Sequence, residues 1–196
     1  MRTPVIAGNW KCHTRLASAR ALAAGLRERI DSVAGVEKVI CPPFVYVVPV
    51  AKALDGSSIR IGAQDLHWED DVAATGEVGP QMLAELAEYV IIGHSERRHQ
   101  LGETDEMVNR KVKAALAAGL KPIMCVGETL QERQAGLTEE VLVRQTRSGL
   151  EGTSIPAGFI VAYEPVWAIG TGSAATADDA ADAIGTIRRE VAARFG

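Results

Sequence analysis

Three short segments of this sequence each follow a run of apolar residues and each contain at least one ionisable side chain. The segments are Asn9-Trp10-Lys11, His94-Ser95-Glu96-Arg97-Arg98 and Glu164-Pro165-Val166-Trp167. A carboxylate, an imidazole and an ammonium group are the parts needed to remove a proton from a carbon beside a carbonyl. They would serve as the base, as the electrophile for the developing enolate and as the cation that holds its charge. These residue types therefore indicate an enzyme that transfers protons.

A glycine-bounded segment, Gly170-Thr171-Gly172, follows the third of these groups. Phosphate is a natural handle for a small carbonyl substrate, and backbone N–H groups in such a segment could bind it. A short glycine motif is a weak signal by itself.

Short apolar segments alternate along the chain with segments of helical period, which is the pattern of repeated βα units and a parallel sheet. The pattern predicts six strands, each bounded by Gly, Pro or charge: Val5 to Gly8, Val36 to Cys41, Ile59 to Ala63, Tyr89 to Gly93, Pro122 to Val126 and Phe159 to Tyr163. Helices are predicted over Leu16 to Ile30 and Glu103 to Ala118, and a last helix starts at a capping pair formed by Thr176 and Asp179. The only long irregular stretch runs from Gln64 to Pro80, and a loop of that length is usually functional.

Two α/β architectures use this alternation, an open doubly wound sheet and a closed (β/α)8 barrel of about 250 residues. Six units in 196 residues extrapolate to eight units in about 260 residues, close to a barrel. In both architectures, functional residues lie just past the carboxyl ends of the strands, where the ionisable segments fall. A nucleotide-binding open sheet is disfavoured because no G-x-G-x-x-G motif follows the first strand.

The composition and the distribution of charged and cysteine residues argue against several classes of protein. The formal net charge is −4, and 23% of the residues are charged. The basic residues are scattered, so no nucleic-acid partner is expected. No apolar run approaches the roughly 18 residues of a membrane span, and the start of the chain lacks a secretory pattern, so we expect a cytoplasmic protein. Cys12, Cys41 and Cys125 form no C-x-x-C pair, so neither a disulfide framework nor a zinc site is expected.

Three longer segments resemble the signature segments of the triosephosphate isomerase family. They are Ala7 to Lys11, Gly93 to Arg98 and Ala162 to Gly172, which reads AYEPVWAIGTG. Further similar segments, in family order and spacing, are Cys41-Pro42-Pro43, Gly62-Ala63-Gln64, Thr75-Gly76-Glu77 and Cys125-Val126-Gly127-Glu128. The resemblance covers essentially the whole chain, and it implies a TIM barrel that interconverts two triose phosphates in glycolysis and gluconeogenesis, without a cofactor or a metal.

The resemblance also implies a role for each matching residue. Glu164 would be the base that shuttles a proton between two carbons, and His94 would polarise the carbonyl as a neutral imidazole. Lys11 would supply positive charge to the substrate, with Asn9 donating a hydrogen bond beside it. These residues are accordingly the expected catalytic and substrate-binding groups.

Other residues would support this site. Ser95 and Glu96 would orient Lys11 and His94, and Gly170 would give an amide to the substrate phosphate. Pro165 to Gly172 would form a lid that keeps water from the enediolate. The loop that contains Thr75, Gly76 and Glu77 would dock on a second copy, so a homodimer is expected.

The family continues beyond the sixth βα unit through two more. The resemblance therefore predicts a single TIM-barrel domain over residues 1–196 with about six of the eight units, C-terminally incomplete relative to the family. An alternative function is a non-catalytic barrel fragment that needs a complementing segment or self-association.

Overall fold

The six predicted strands are all present, each within one residue of its predicted bounds. We use a computed structural model of the chain, which describes residues 2–169, 172 and 174–196. The strands are β1 (Val5–Asn9), β2 (Glu37–Cys41), β3 (Ile59–Ala63), β4 (Tyr89–Ile92), β5 (Lys121–Val126) and β6 (Ile160–Tyr163). Their agreement with the sequence pattern reflects short, β-branched runs that are bounded by turn residues or charges.

Helices follow the strands in chain order and confirm the repeated βα pattern. They are α1 (Leu16–Ile30), α2 (Val47–Ala53), α3 (Pro80–Ala84), α4 (Ser95–Gln100), α5 (Asp105–Ala117), α6 (Leu130–Gln134), α7 (Thr138–Gly149) and α8 (Ala177–Phe195). The predicted capping pair starts α8, because Thr176 accepts a hydrogen bond from the Asp179 amide and the Asp179 carboxylate accepts one from the Thr176 amide. None of the described helices has the length and apolar character of a membrane span.

The described residues group into two compact units. The first unit runs to Ile91 and includes Ala114–Pro122, whereas the second comprises Ile92–Lys113 and Ile123–Gly196. The boundary between them falls within β4, α5 and β5. The predicted single domain over residues 1–196 stays a prediction.

In the first unit, neighbouring strands pair in parallel and in chain order from β1 to β4. Asn9, the last residue of β1, lies opposite Cys41, the last residue of β2. The side chains that follow these two strands therefore start from the same edge of the sheet. The core beside it is built from Ala19 and Ala23 of α1, with Ile40, Val50 and Ile61 packed in the same cluster.

In the second unit, β5 and β6 pair in parallel, with Val126 opposite Tyr163 at their carboxyl ends. α7 approaches β5 closely, because its last residue, Gly149, has no side chain. A methyl group there would lie 2.5 Å from the Met124 sulfur. The fully buried Leu142 anchors the same helix.

One buried hydroxyl in α7 gives a test of this packing. Thr146 is buried, and its Oγ1 has no hydrogen-bond partner within the described part of the chain. We expect Thr146→Val to raise the free energy of unfolding by about 1 kcal/mol, because it removes a desolvated and unpaired polar atom. Thermal unfolding should show a midpoint roughly 2–4 °C higher.

The matched control is Thr153→Val. The Thr153 hydroxyl donates to the Leu150 carbonyl at 2.7 Å, so its loss should lower the midpoint. A lower midpoint for Thr146→Val would contradict the packing described for α7.

Candidate active site

His94 and Glu164 form a close pair in the second unit, although they are far apart in sequence. His94 follows β4 after one glycine, and Glu164 directly follows β6. His94 Nε2 lies 3.1 Å from Glu164 Oε1, and these side chains are only 10% and 16% exposed. The other oxygen, Oε2, accepts a hydrogen bond from the Ser95 amide at 2.8 Å. The structure therefore brings the expected base and electrophile into direct contact.

The hydrogen bonds of His94 indicate which ring nitrogen carries the proton. His94 is the N-cap of α4, and its Nδ1 accepts from the Glu96 amide at 3.2 Å. An acceptor Nδ1 leaves the proton of a neutral imidazole on Nε2, which faces Glu164. The Glu96 carboxylate lies 3.6 Å from the same Nδ1 on the more exposed side. His94 can thus act as a neutral N–H donor at Nε2.

A buried carboxylate holds the turn that precedes His94. Glu103 is 2% exposed at its side chain, and it accepts from the Gly93 amide at 3.1 Å. Arg97 Nε and Lys111 Nζ donate to its other oxygen, at 2.7 and 2.9 Å. Burial alone would raise the pKa of Glu103, but the two cations outweigh it and hold that pKa below its usual range.

Arg98 holds the carbonyl group of the same glycine, Gly93. Its Nε donates to the Gly93 carbonyl at 2.7 Å, and its Nη2 donates to the Cys125 carbonyl at 3.1 Å. Nη1 pairs with Asp105 at 2.7 Å. Arg97 and Arg98 therefore both form salt bridges, Arg97 with Glu103 and Arg98 with Asp105.

A second buried carboxylate, Glu128, receives donors from β6 and from the segment after it. Tyr163 Oη donates to its two oxygens at 3.0 and 3.1 Å, and Trp167 Nε1 donates at 2.9 Å. Arg133 lies 3.4 Å from Glu128 and stacks over the Trp167 ring at 4.4 Å. Burial, followed by the charge of Glu128, raises the pKa of Tyr163. The expected lid runs from Pro165 to Gly172, and this hydrogen bond of Trp167 anchors it near its start.

Asn9 and Lys11 lie in the first unit, at the end of β1. Lys11 has a positive φ of 50°, a conformation that favours glycine. Its amide donates to Asn9 Oδ1 at 2.9 Å, and its carbonyl accepts from Gln64 Nε2 at 3.0 Å. Gln64 Nε2 also donates to the Cys41 carbonyl at 2.8 Å. Side-chain hydrogen bonds therefore hold both backbone groups of Lys11 in a strained conformation.

The remaining expected site residues are less enclosed. Thr75, Gly76 and Glu77 are exposed in the loop between β3 and α3, also in the first unit. The Glu77 amide donates to the Ala74 carbonyl at 3.0 Å, which closes a turn at the tip. Gly170 lies outside the described residues.

Two buried polar residues, Glu103 and Gln145, form contacts that the sequence pattern does not predict. Both lie at or within helical segments, where a polar residue usually faces solvent, so their types alone carried no signal.

The side chains also bear on metal and thiol chemistry. Among the described residues, no group of three or more His, Cys, Asp or Glu side chains could hold a metal ion. Burial raises the pKa of Cys41 to about 12, which makes this thiol a poor nucleophile.

Comparison with known proteins identifies a family. The family model described as Triosephosphate isomerase matches residues 4–196. A protein of that name from Moorella thermoacetica is 53% identical over 199 residues, an alignment that covers 100% of this chain and 80% of the relative. Another from Dehalococcoides mccartyi is 50% identical over 189 residues and covers 96% of this chain and 75% of the relative. The match agrees with the six βα units in assigning the chain to the TIM-barrel fold class.

The Glu103 cluster predicts a pH-dependent contribution to stability. We expect Glu103→Gln to lower the free energy of unfolding at pH 7 by about 3 kcal/mol, because it removes a carboxylate from the buried Lys111 ammonium. The lowered pKa means that this contribution is complete above the unfolded value near 4.5 and is lost as the pH falls through the folded value.

Urea unfolding from pH 7 to pH 3 measures this contribution. The difference between the parent chain and Glu103→Gln should shrink as the pH falls below 4.5. Glu139→Gln is the matched control, because Glu139 is 74% exposed and its loss should change stability by less than about 0.5 kcal/mol. A difference that stays constant with pH would show that the carboxylate charge is not the stabilising group.

Proposed function

Since the chain belongs to the triosephosphate isomerase family, we propose that it interconverts dihydroxyacetone phosphate and D-glyceraldehyde 3-phosphate by proton transfer through an enediolate. The contact between His94 Nε2 and Glu164 Oε1 at 3.1 Å is the observation that supports this most directly. It pairs a carboxylate base with an N–H donor in a mostly buried position. The reaction belongs to glycolysis and gluconeogenesis, and we place the protein in the cytoplasm.

Glu164 is the base in this proposal. Its carboxylate takes a proton from one substrate carbon and returns it to the neighbouring carbon, so one group acts first as base and then as acid. The hydrogen bond from the Ser95 amide holds the Oε2 atom of this carboxylate in a fixed position. A base that is held in this way loses little orientational entropy when the substrate arrives.

His94 is the electrophile. The Nε2–H that points at Glu164 in this structure donates instead to the substrate carbonyl oxygen, where negative charge develops as the carbon loses its proton. This family is itself an established example of a neutral imidazole in that role. Fixed N–H donors stabilise such an oxyanion without reorganisation.

Lys11 and Asn9 bind the charged substrate. The strained Lys11 backbone, held through Asn9 and Gln64, sets the direction in which the Lys11 side chain leaves the chain. Gly170 contributes a phosphate-binding amide, and Pro165 to Gly172 closes over the substrate and excludes water. Ser95 and Glu96 support the site through the backbone contacts described above, and no cofactor takes part.

We also propose a homodimer formed through the first unit. Large apolar side chains are exposed along residues 44–86, among them Val45 (75%), Val48 (57%) and Met82 (59%). The exposed turn at Thr75, Gly76 and Glu77 belongs to the same stretch of chain. Exposed apolar side chains in such number support an association surface.

The base assignment is tested with Glu164→Gln. Glutamine keeps the shape and one acceptor oxygen but cannot take a proton, so kcat should fall by roughly 10²- to 10⁴-fold. Isomerisation is measured in both directions with coupled enzymes. Glu139→Gln, a change at an exposed carboxylate in the same unit, should leave kcat unchanged.

Two outcomes would count against the proposal. Turnover in Glu164→Gln comparable to that of the parent would refute the base assignment. A cooperatively folded parent chain that does not isomerise either triose phosphate would refute the proposed activity, and would favour the alternative of a non-catalytic barrel fragment.

The dimer is tested by placing a charge on the proposed surface. We expect Met82→Glu to weaken self-association by at least about tenfold, because a carboxylate would have to be desolvated in the interface. Sedimentation velocity over a range of concentrations measures the change. Leu130→Glu, at an exposed leucine of the second unit, is the control that should associate like the parent. A parent that sediments as a monomer would contradict the dimer.

A further inference from the structure

Gln145 is a buried polar side chain that the proposed reaction does not use. It lies on α7 and is only 4% exposed. Its Oε1 accepts from the Gly127 amide at 2.8 Å, and its Nε2 donates to the Gly127 carbonyl at 3.3 Å. The side-chain amide thus pairs with both backbone groups of one residue, as a neighbouring strand would.

Gly127 in turn supports the backbone of Glu164. The Glu164 amide donates to the Val126 carbonyl at 2.8 Å, which extends the pairing of β5 and β6 by one residue. A methyl group on Gly127 would overlap the Glu164 carbonyl oxygen and would lie 3.4 Å from its Cα. The two backbones are therefore in close contact, and a displacement of Gly127 moves Glu164.

The helix that carries Gln145 is itself fixed. Leu142, one turn earlier, is fully buried, and Gly149 at the end of α7 packs against Met124 of β5. Because Gln145 extends from an anchored helix, its two hydrogen bonds fix the peptide groups at Gly127 relative to β5. Without them, a buried amide and a buried carbonyl would lose their partner and the turn would rearrange to find others.

We propose that Gln145 is a positioning residue for the base, which acts through Gly127 to hold Glu164 at its contact with His94. The inference rests on the proposed function, since it assigns Glu164 the role of base. Gln145 itself touches no reacting atom. Its effect is on geometry, to which proton transfer is very sensitive.

The test is Gln145→Met, which keeps the length of the side chain but removes both hydrogen bonds. We expect kcat to fall about tenfold to a hundredfold, because a shift of about 1 Å in a catalytic group has an effect of that size. KM should stay within about twofold, since substrate binding through Lys11 and Asn9 is not altered. Gln145→Leu, which also removes both hydrogen bonds and should lower kcat in the same way, serves as the second variant if Gln145→Met folds poorly.

Leu142→Val is the matched control for a purely structural role. It removes one buried methylene group from the same helix, so it should lower the thermal midpoint while kcat of the folded protein stays unchanged. A stability effect alone would move both variants in the same way. A selective loss of kcat in Gln145→Met distinguishes positioning from stability.

A second measurement does not depend on activity. In ¹⁵N-histidine-labelled protein, the imidazole resonances of His94 report its contact with Glu164. They should shift in Gln145→Met and stay in place in Leu142→Val.

The outcomes separate the inference from the proposed function. If the parent isomerises and Gln145→Met retains its kcat, the positioning role is overturned and the proposed function stands. If the parent does not isomerise, the proposed function fails. The His94 resonances then decide whether Gln145 positions Glu164. A shift in Gln145→Met alone supports the positioning role, and no shift overturns it.

Discussion

The parallel pairing of β5 with β6 is the constraint on which the position of Glu164 in the second unit depends. The register places Val126 opposite Tyr163, so the next residues along each strand, Gly127 and Glu164, leave the sheet side by side. One further hydrogen bond, from the Glu164 amide to the Val126 carbonyl, carries this pairing beyond the strands. A one-residue slip would turn the side chain of Glu164 to the other face.

The carboxylates of this unit differ in how many hydrogen bonds their oxygens accept. This difference distinguishes the structural carboxylates from the proposed base. Glu103 and Glu128 are almost fully buried, and each accepts at least three hydrogen bonds from fixed donors. Such groups cannot exchange partners cheaply. Glu164 accepts one amide hydrogen bond and contacts one imidazole. Its side chain is 16% exposed, which is consistent with the proposed role of Glu164 as the base.

In the first unit, the residue that is held in place is a flexible cation, Lys11. A lysine side chain has considerable rotational freedom, and Lys11 is restrained from its backbone instead. The positive φ of Lys11 costs roughly 1 kcal/mol or more. The hydrogen bond that the Lys11 amide donates to Asn9 and the one that its carbonyl accepts from Gln64 oppose its relaxation. The strained conformation sets the direction in which the Lys11 side chain leaves the backbone.

Much of the fold was predictable because its signals are local. Each strand is a short apolar run with its own boundaries, and the capping pair at Thr176 and Asp179 spans only three residues. The expected catalytic residues followed from segments such as Gly93 to Arg98, whose residue types are recognisable together. Gln145 escaped prediction because a glutamine within a helix usually faces solvent, and nothing near it in sequence indicates that its partner is Gly127.

The element types, the family and the residues at the strand ends can be predicted from the sequence, because they depend on neighbours a few positions away. The hydrogen bond from Ser95 to Glu164, 69 positions along the chain, and the pairing of Gln145 with Gly127, 18 positions away, are visible only in the folded chain. Those hydrogen bonds depend on how α7, β5 and β6 pack and on which polar groups lose water together. That outcome is a property of the assembled core, and no local pattern encodes it.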